Sequence, residues 1–185
     1  RTILSAPEDS DVIVVEMGMR GPGQISFLTK IARPDIAIIT NIGYWHIGIL
    51  ESKDAIMNAK MEICEGLTDG GIIAINSDDR KLFDHCVKVL TINNFIAGIQ
   101  VSSDDDLPCP LIVSATGVKE TEDGMAFGAK LKRMGVDSEF QIPLHVGMYG
   151  EPAIRNALFA IFCAYMMGIT KTPESRQKIA DVISA

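Results

Sequence analysis

Apolar and polar positions are distributed along this chain in blocks. Val12, Ile13, Val14 and Val15 form a continuous β-branched run after Asp9, Ser10 and Asp11, the pattern of a short strand buried on both faces. Residues 18–23 hold three glycines and read as a loop. A helix is expected over residues 24–32, with Ile25, Leu28 and, a turn further on, Ile31 facing inward, and Pro34 stopping it. Residues 36–40 are a second buried strand. Ser52 is placed to cap a helix running to Leu67, closed by Gly70 and Gly71. Residues 71–75 form a third strand, and Asp78 and Asp79 open a helix to about Lys88.

Strand and helix thus alternate three times with short connections, which predicts right-handed βαβ units and a parallel sheet covered by helices on both faces. The pattern changes over about residues 90–146, where Asp- and Gly-rich turns separate runs at 113–120, 125–131 and 139–144, an antiparallel meander. An apolar helix over residues 152–167, stopped by Gly168, and a last helix capped by Thr172 with Pro173 at its first position complete the chain. The fold class expected is α/β: a mostly parallel, Rossmann-like sheet flanked by helices, with a small antiparallel β meander. The longest apolar run, residues 157–169, is too short to span a bilayer.

Composition narrows the partners. The chain has 185 residues, 47% hydrophobic and 22% charged, enough for one well-cored domain. A net charge of −7 argues against a general nucleic-acid binder and against docking on an anionic membrane. It leaves room for an anionic nucleotide held by a local cradle and a metal ion. Cys64, Cys86, Cys109 and Cys163 contain no C-x-x-C pair and read as reduced, buried thiols of a cytoplasmic protein. Arg1 is not a natural start, so the chain is expected to be part of a longer protein.

Three sets of residues carry candidate chemistry. Gly18, Gly21 and Gly23 stand in the order G-x-x-G-x-G with Pro22 among them, which departs from the dinucleotide fingerprint and is equally explained by a turn re-entering a helix. No G-x-x-x-x-G-K-[ST] occurs in the sequence. Glu16 and His46 each lie past the end of an expected strand, on the carboxyl edge where α/β proteins bind ligands. Read alone, Glu16 could equally be satisfied by local N–H groups and His46 could be structural. Lys60 shares a helical stripe with Ile56, Ile63, Cys64 and Leu67. It either snorkels out of the core or is buried enough to lose its proton. A neutral amine can take up carbon dioxide as a carbamate, which turns a cation into a carboxylate-like metal ligand.

Glu16 and Gly18, then Gly21 to Ile25, Pro34 to Ala37, Thr40 to His46, Ala59 to Ile63, Asn76 to Asp79, and Gly150 with Asn156 to Leu158 follow the order and spacing of a known pattern. In these motifs the chain resembles the central domain of the Mur ligases, nearest the MurF type. That resemblance implies ATP and Mg²⁺ as cofactors and a carboxylate activated as an acyl phosphate. It implies UDP-N-acetylmuramoyl-tripeptide and D-alanyl-D-alanine as substrates of the full-length enzyme, without nucleic acid and without membrane insertion. By the same resemblance Glu16, His46 and a carbamylated Lys60 are the catalytic metal-binding set, and Asn41, Asn76 and Asn156 lie near the nucleotide.

Two departures from the family pattern shape the expectation. The family's phosphate-binding loop precedes the strand bearing Glu16, and its C-terminal ligase domain follows; neither pattern occurs in residues 1–185, so this piece alone is expected to be inactive. The family's G-x-H-N-x-x-N-A-L reads here with Pro152 and Ala153 in the His and first Asn places, which removes two side chains that would face adenine. Two further readings therefore stand beside the first: a related ligase of the folylpolyglutamate or cyanophycin synthetase type, or a degenerate Mur-like module that binds without catalysing.

Overall fold

A computed structural model describes residues 2–43, 52–89, 95–101 and 107–184. Its helices are α1 (Gln24–Ala32), α2 (Lys53–Met61), α3 (Arg80–Val89), α4 (Glu151–Met166) and α5 (Pro173–Ile183). The strands are β1 (Ile36–Ile39), β2 (Ile72–Asn76), β3 (Phe95–Gln100), β4 (Leu111–Thr121), β5 (Gly124–Arg133) and β6 (Val136–Val146). They form one sheet in the order β1-β2-β3-β4-β5-β6. Pairing is parallel from β1 through β4 and antiparallel from β4 through β6.

The element boundaries follow from local chemistry. Ser52 caps α2, its hydroxyl accepting from the Ala55 N–H at 3.1 Å. Thr172 and Ser175 form a reciprocal capping box on α5, with Pro173 in its first turn. β2 is apolar from Ile72 through Ile75 because the sheet is covered on both sides. On one face Ile73 and Ile75 pack with Ile56 and Met57 of α2 and Leu82, Phe83 and Cys86 of α3. On the other, Val113, Phe127, Leu131, Ile142 and Leu144 pack under Ile154, Leu158, Ile161 and Phe162 of α4 and Ala180 of α5.

The structure corrects the sequence reading in four places. Residues 12–15 are not a strand: Val12, Ile13 and Val14 are exposed, Val14 by 85%. A doubly buried strand needs a partner ladder and cover on both faces, and among the described residues this run has neither. On α1 only Ile25 and Thr29 are buried, while Leu28 and Ile31 face outward. The helix lies against the turn at Glu62–Gly66 rather than flat on the sheet, so its contact stripe is narrow. The helix after Ser52 stays α-helical only to Met61 and tightens into a 3-10 turn over Glu62–Gly66. Finally, Phe95–Gln100 pairs parallel with β2, so antiparallel pairing begins only between β4 and β5 and does not extend over all of residues 90–146.

Candidate functional site

The carboxyl ends of β1 and β2 open on one edge of the sheet, where Asn41 follows β1 and Asn76 ends β2. Asn41 follows β1 with its side-chain oxygen accepting from the Gly43 N–H at 3.1 Å, a local turn that leaves its own carbonyl free. That carbonyl accepts from Lys60 Nζ at 2.6 Å. Lys60 sits in the last turn of α2, half-buried, and burial lowers its pKa from the ordinary lysine value. The amine therefore lies closer to neutrality than a surface lysine, in contact with a carbonyl rather than a carboxylate.

A cavity of about 170 Å³ opens beside this pair, walled by Met17, Gly18 and Met19, by Ile25 of α1, and by Asn41, Gly43 and Lys60. Glu16 is exposed and immediately precedes the Met17 wall, without lining the cavity itself. His46 lies outside the described residues. Among the described residues, no three His, Cys, Asp or Glu side chains converge as a metal cage.

Asn76 ends β2, buried, with its side-chain oxygen accepting from the Asp78 N–H at 3.1 Å. Asp78 in turn accepts from the Val101 N–H at 2.9 Å and from Arg155 Nη2 at 3.1 Å. Arg155 belongs to α4, so this pair seats the start of α4 on the β2–α3 connection. Its Nη2 also reaches Glu151 at 3.4 Å, and its Nε is buried with no partner among the described residues. Asn156, next to it, is exposed. Pro152 is exposed in the first turn of α4 and Ala153 is buried, so the helix start is intact and carries no polar side chain at either place.

The structure shows the Lys60–Asn41 hydrogen bond and Asn76 buried at the end of β2, whereas sequence reasoning singled out Lys60, Asn41 and Asn76 separately. It missed Arg155 and Glu62. Arg155 could have been noticed as a charge within an otherwise apolar helix that needs a carboxylate partner. Glu62 stood in plain view within the segment from Ala59 to Ile63, and its carboxylate turns out to bind the N-terminal turn of α1, 2.7 Å from the Gly23 N and 3.1 Å from the Ser26 N.

A model of the Mur ligase middle domain matches residues 1–164. The UDP-N-acetylmuramoyl-tripeptide–D-alanyl-D-alanine ligase of Bacillus subtilis (strain 168) is 33% identical over 177 residues, covering 96% of this chain and 34% of that protein. The ligase of the same name from Haemophilus influenzae is 28% identical over 171 residues, 92% of this chain and 34% of that protein. The chain therefore spans about a third of the length of these relatives. Among solved structures, MurF from Acinetobacter baumannii superposes with a TM-score of 0.73 at 20% identity, over 99% of this chain and 36% of that one. MurF ligase from Thermotoga maritima in complex with ADP gives 0.67 at 23% identity, over 90% of this chain and 35% of that one. At that identity the two structures establish the shared fold.

Proposed function

The chain belongs to the Mur ligase middle domain family, and on that premise we propose that it is the nucleotide-binding middle part of an ATP-dependent amide ligase of peptidoglycan precursor synthesis. The full-length protein joins D-alanyl-D-alanine to UDP-N-acetylmuramoyl-tripeptide in the cytoplasm. In this reading a segment with the phosphate-binding loop and a closing ligase domain belong to the same protein. The tripeptide carboxylate attacks the γ-phosphorus of ATP, ADP leaves, and the incoming amine displaces phosphate from the acyl phosphate, losing a proton as the amide forms.

The observation that carries the reading is the setting of Lys60: a half-buried amine of lowered pKa, lining a cavity on the carboxyl edge of a parallel sheet. As an ammonium it offers three donors and no lone pair, and cannot hold a cation. As a carbamate it would carry one negative charge shared over two oxygens, and with Glu16 assigned on its motif the donor chemistry then suits Mg²⁺. His46 is assigned as the remaining ligand on its motif. The chemistry that bound Mg²⁺ supplies is neutralisation of the charge that builds up on the transferring phosphoryl group. Asn41 orients the Lys60 side chain through its carbonyl. Asn76 shapes the β2–α3 connection, and Asn156, exposed on α4, is assigned to the nucleotide base on its motif.

Phosphate release by the full-length protein should require both UDP-N-acetylmuramoyl-tripeptide and D-alanyl-D-alanine. Release driven equally well by glutamate or another single amino acid would instead favour a ligase of the folylpolyglutamate or cyanophycin type. The replacement of two polar side chains by Pro152 and Ala153 motivates the non-catalytic reading, and failure to bind ATP in the presence of Mg²⁺ would establish it.

A further inference from the structure

We propose that Glu62 is a positioning residue that sets the spacing between the two walls of the Lys60 cavity. The inference rests on the cation-site reading above and extends it to a residue outside the cavity lining.

One wall is the stretch Met17 to Met19 with Ile25; the other carries Lys60 and Asn41. The first wall runs through Gly23 into α1, and the N-terminus of that helix lacks a cap of its own. Gly23 occupies the N-cap with φ 81° and has no side chain to offer. The missing acceptor comes from 39 residues away: Glu62 Oε1 takes the Gly23 N–H at 2.7 Å, and Oε2 takes the Ser26 N–H at 3.1 Å. A carboxylate suits this place because two orphan N–H groups and the positive end of the helix dipole converge there.

Glu62 follows the last residue of α2 and stands two residues after Lys60. A single side chain therefore joins the end of the lysine-bearing helix to the point where the glycine loop enters α1. Among the described residues, the other bonds between α1 and the Glu62–Gly66 turn stop short of Gly23. Thr29 Oγ1 donates to the Ile63 carbonyl at 2.7 Å, and Lys30 pairs with Glu65 at 2.7 Å, both toward the C-terminal end of α1. Ser26 Oγ, in the first turn of α1, also donates to Glu65, at 2.6 Å, but among the described residues only Glu62 accepts from the Gly23 N–H. Loss of Glu62 should let the loop that carries Glu16 and Gly18 drift from Lys60, whereas loss of Glu65 should weaken only the helix seat.

The test uses the full-length protein and Mn²⁺, an oxygen-seeking stand-in for Mg²⁺, with free ion followed by electron paramagnetic resonance. Glu62→Gln is isosteric, but turns an NH₂ toward an N–H donor and removes the charge. Glu62→Asp keeps the charge and falls one methylene short. Both should weaken Mn²⁺ binding about tenfold, as removal of outer-shell support typically does. Glu65→Gln should lower the unfolding midpoint yet leave Mn²⁺ affinity within about twofold. Wild-type affinity in both Glu62 variants, or an equal loss in Glu65→Gln, overturns the positioning role alone. A wild-type protein that binds no Mn²⁺ overturns the cation reading of the cavity, and the role of Glu62 with it.

Discussion

Lys60 reaches the main-chain carbonyl of Asn41 at 2.6 Å, so the end of α2 is tied to the end of β1 through a nitrogen that burial pushes toward its neutral form. A carbonyl stabilises an ammonium less than a carboxylate would, so desolvation dominates the shift.

The neutral fraction of Lys60 decides whether carbon dioxide can add. At fixed dissolved CO₂, a ¹³C carbamate resonance should appear in the full-length protein and be absent from Lys60→Ala. Its amplitude should grow as pH rises, and at lower pH than for an exposed lysine, because burial lowers the pKa and the neutral amine is the reactive form. The same substitution should reduce ligation about a hundredfold or more, the scale of losing one charge stabiliser. Full activity in Lys60→Ala would refute the assignment.

Gly66 meets the backbone of α1 so closely that a Cβ built there would collide with the carbonyl of Thr29 and lie 2.7 Å from the Lys30 N. Main-chain atoms cannot rotate away as a side chain would. Gly66→Ala should therefore cost about 2–3 kcal/mol and lower the unfolding midpoint of this domain by roughly 5–10 °C, measurable by calorimetry.

The Arg155 and Asp78 side chains are 13% and 23% exposed, so neither charge is fully solvated. Removing one leaves the other short of a partner. Asp78→Asn and Arg155→Gln should each destabilise by about 2 kcal/mol, and the double substitution by about 1 kcal/mol less than their sum. Strict additivity in denaturant titrations would show that the pair is not coupled.

Burial holds the thiols of Cys64 and Cys109 up to about 11 and that of Cys86 up to about 12, against an ordinary 9.0. At pH 8 these three should react with a thiol reagent more than about a hundredfold slower than free cysteine. The folded pKa values are raised, so the stability these groups contribute is complete below about pH 9 and declines as pH climbs toward 11. Rapid labelling of native protein at pH 8 would contradict this.

Much of this fold was readable from short-range signals. Pro34, Ser52, Gly168, and Thr172 with Pro173 act on their immediate neighbours, and each sets a boundary within a residue or two of the observed one. The misreadings concern partners distant in sequence. Val12 to Val15 have a strand's composition, but no local rule supplies the ladder and cover a strand requires. Leu28 and Ile31 have helical spacing, but which stripe is buried depends on where the Glu62–Gly66 turn docks. Phe95–Gln100 looks alike in a parallel or an antiparallel sheet, because direction is decided by the connections. Lys60 was legible as an oddity, a charge on an apolar stripe. Glu62 was not, because a surface glutamate near a helix end looks the same whether it meets water or a helix N-terminus 39 residues away.

The sheet places every strand beside the one before it in the chain, from β1 through β6. No strand has to slot between two that are already joined, so the sheet can grow by addition at an edge. The hairpins β4–β5–β6 close the shortest loops and make local pairings, whereas each parallel step from β1 to β4 requires a longer chain closure. In pulse-labelled refolding, the amides of β4 to β6 should gain protection first and those of β1 last. Assembly would then run from the antiparallel end toward the strand that borders the Lys60 cavity, so that the site becomes ordered only when the rest of the sheet already stands.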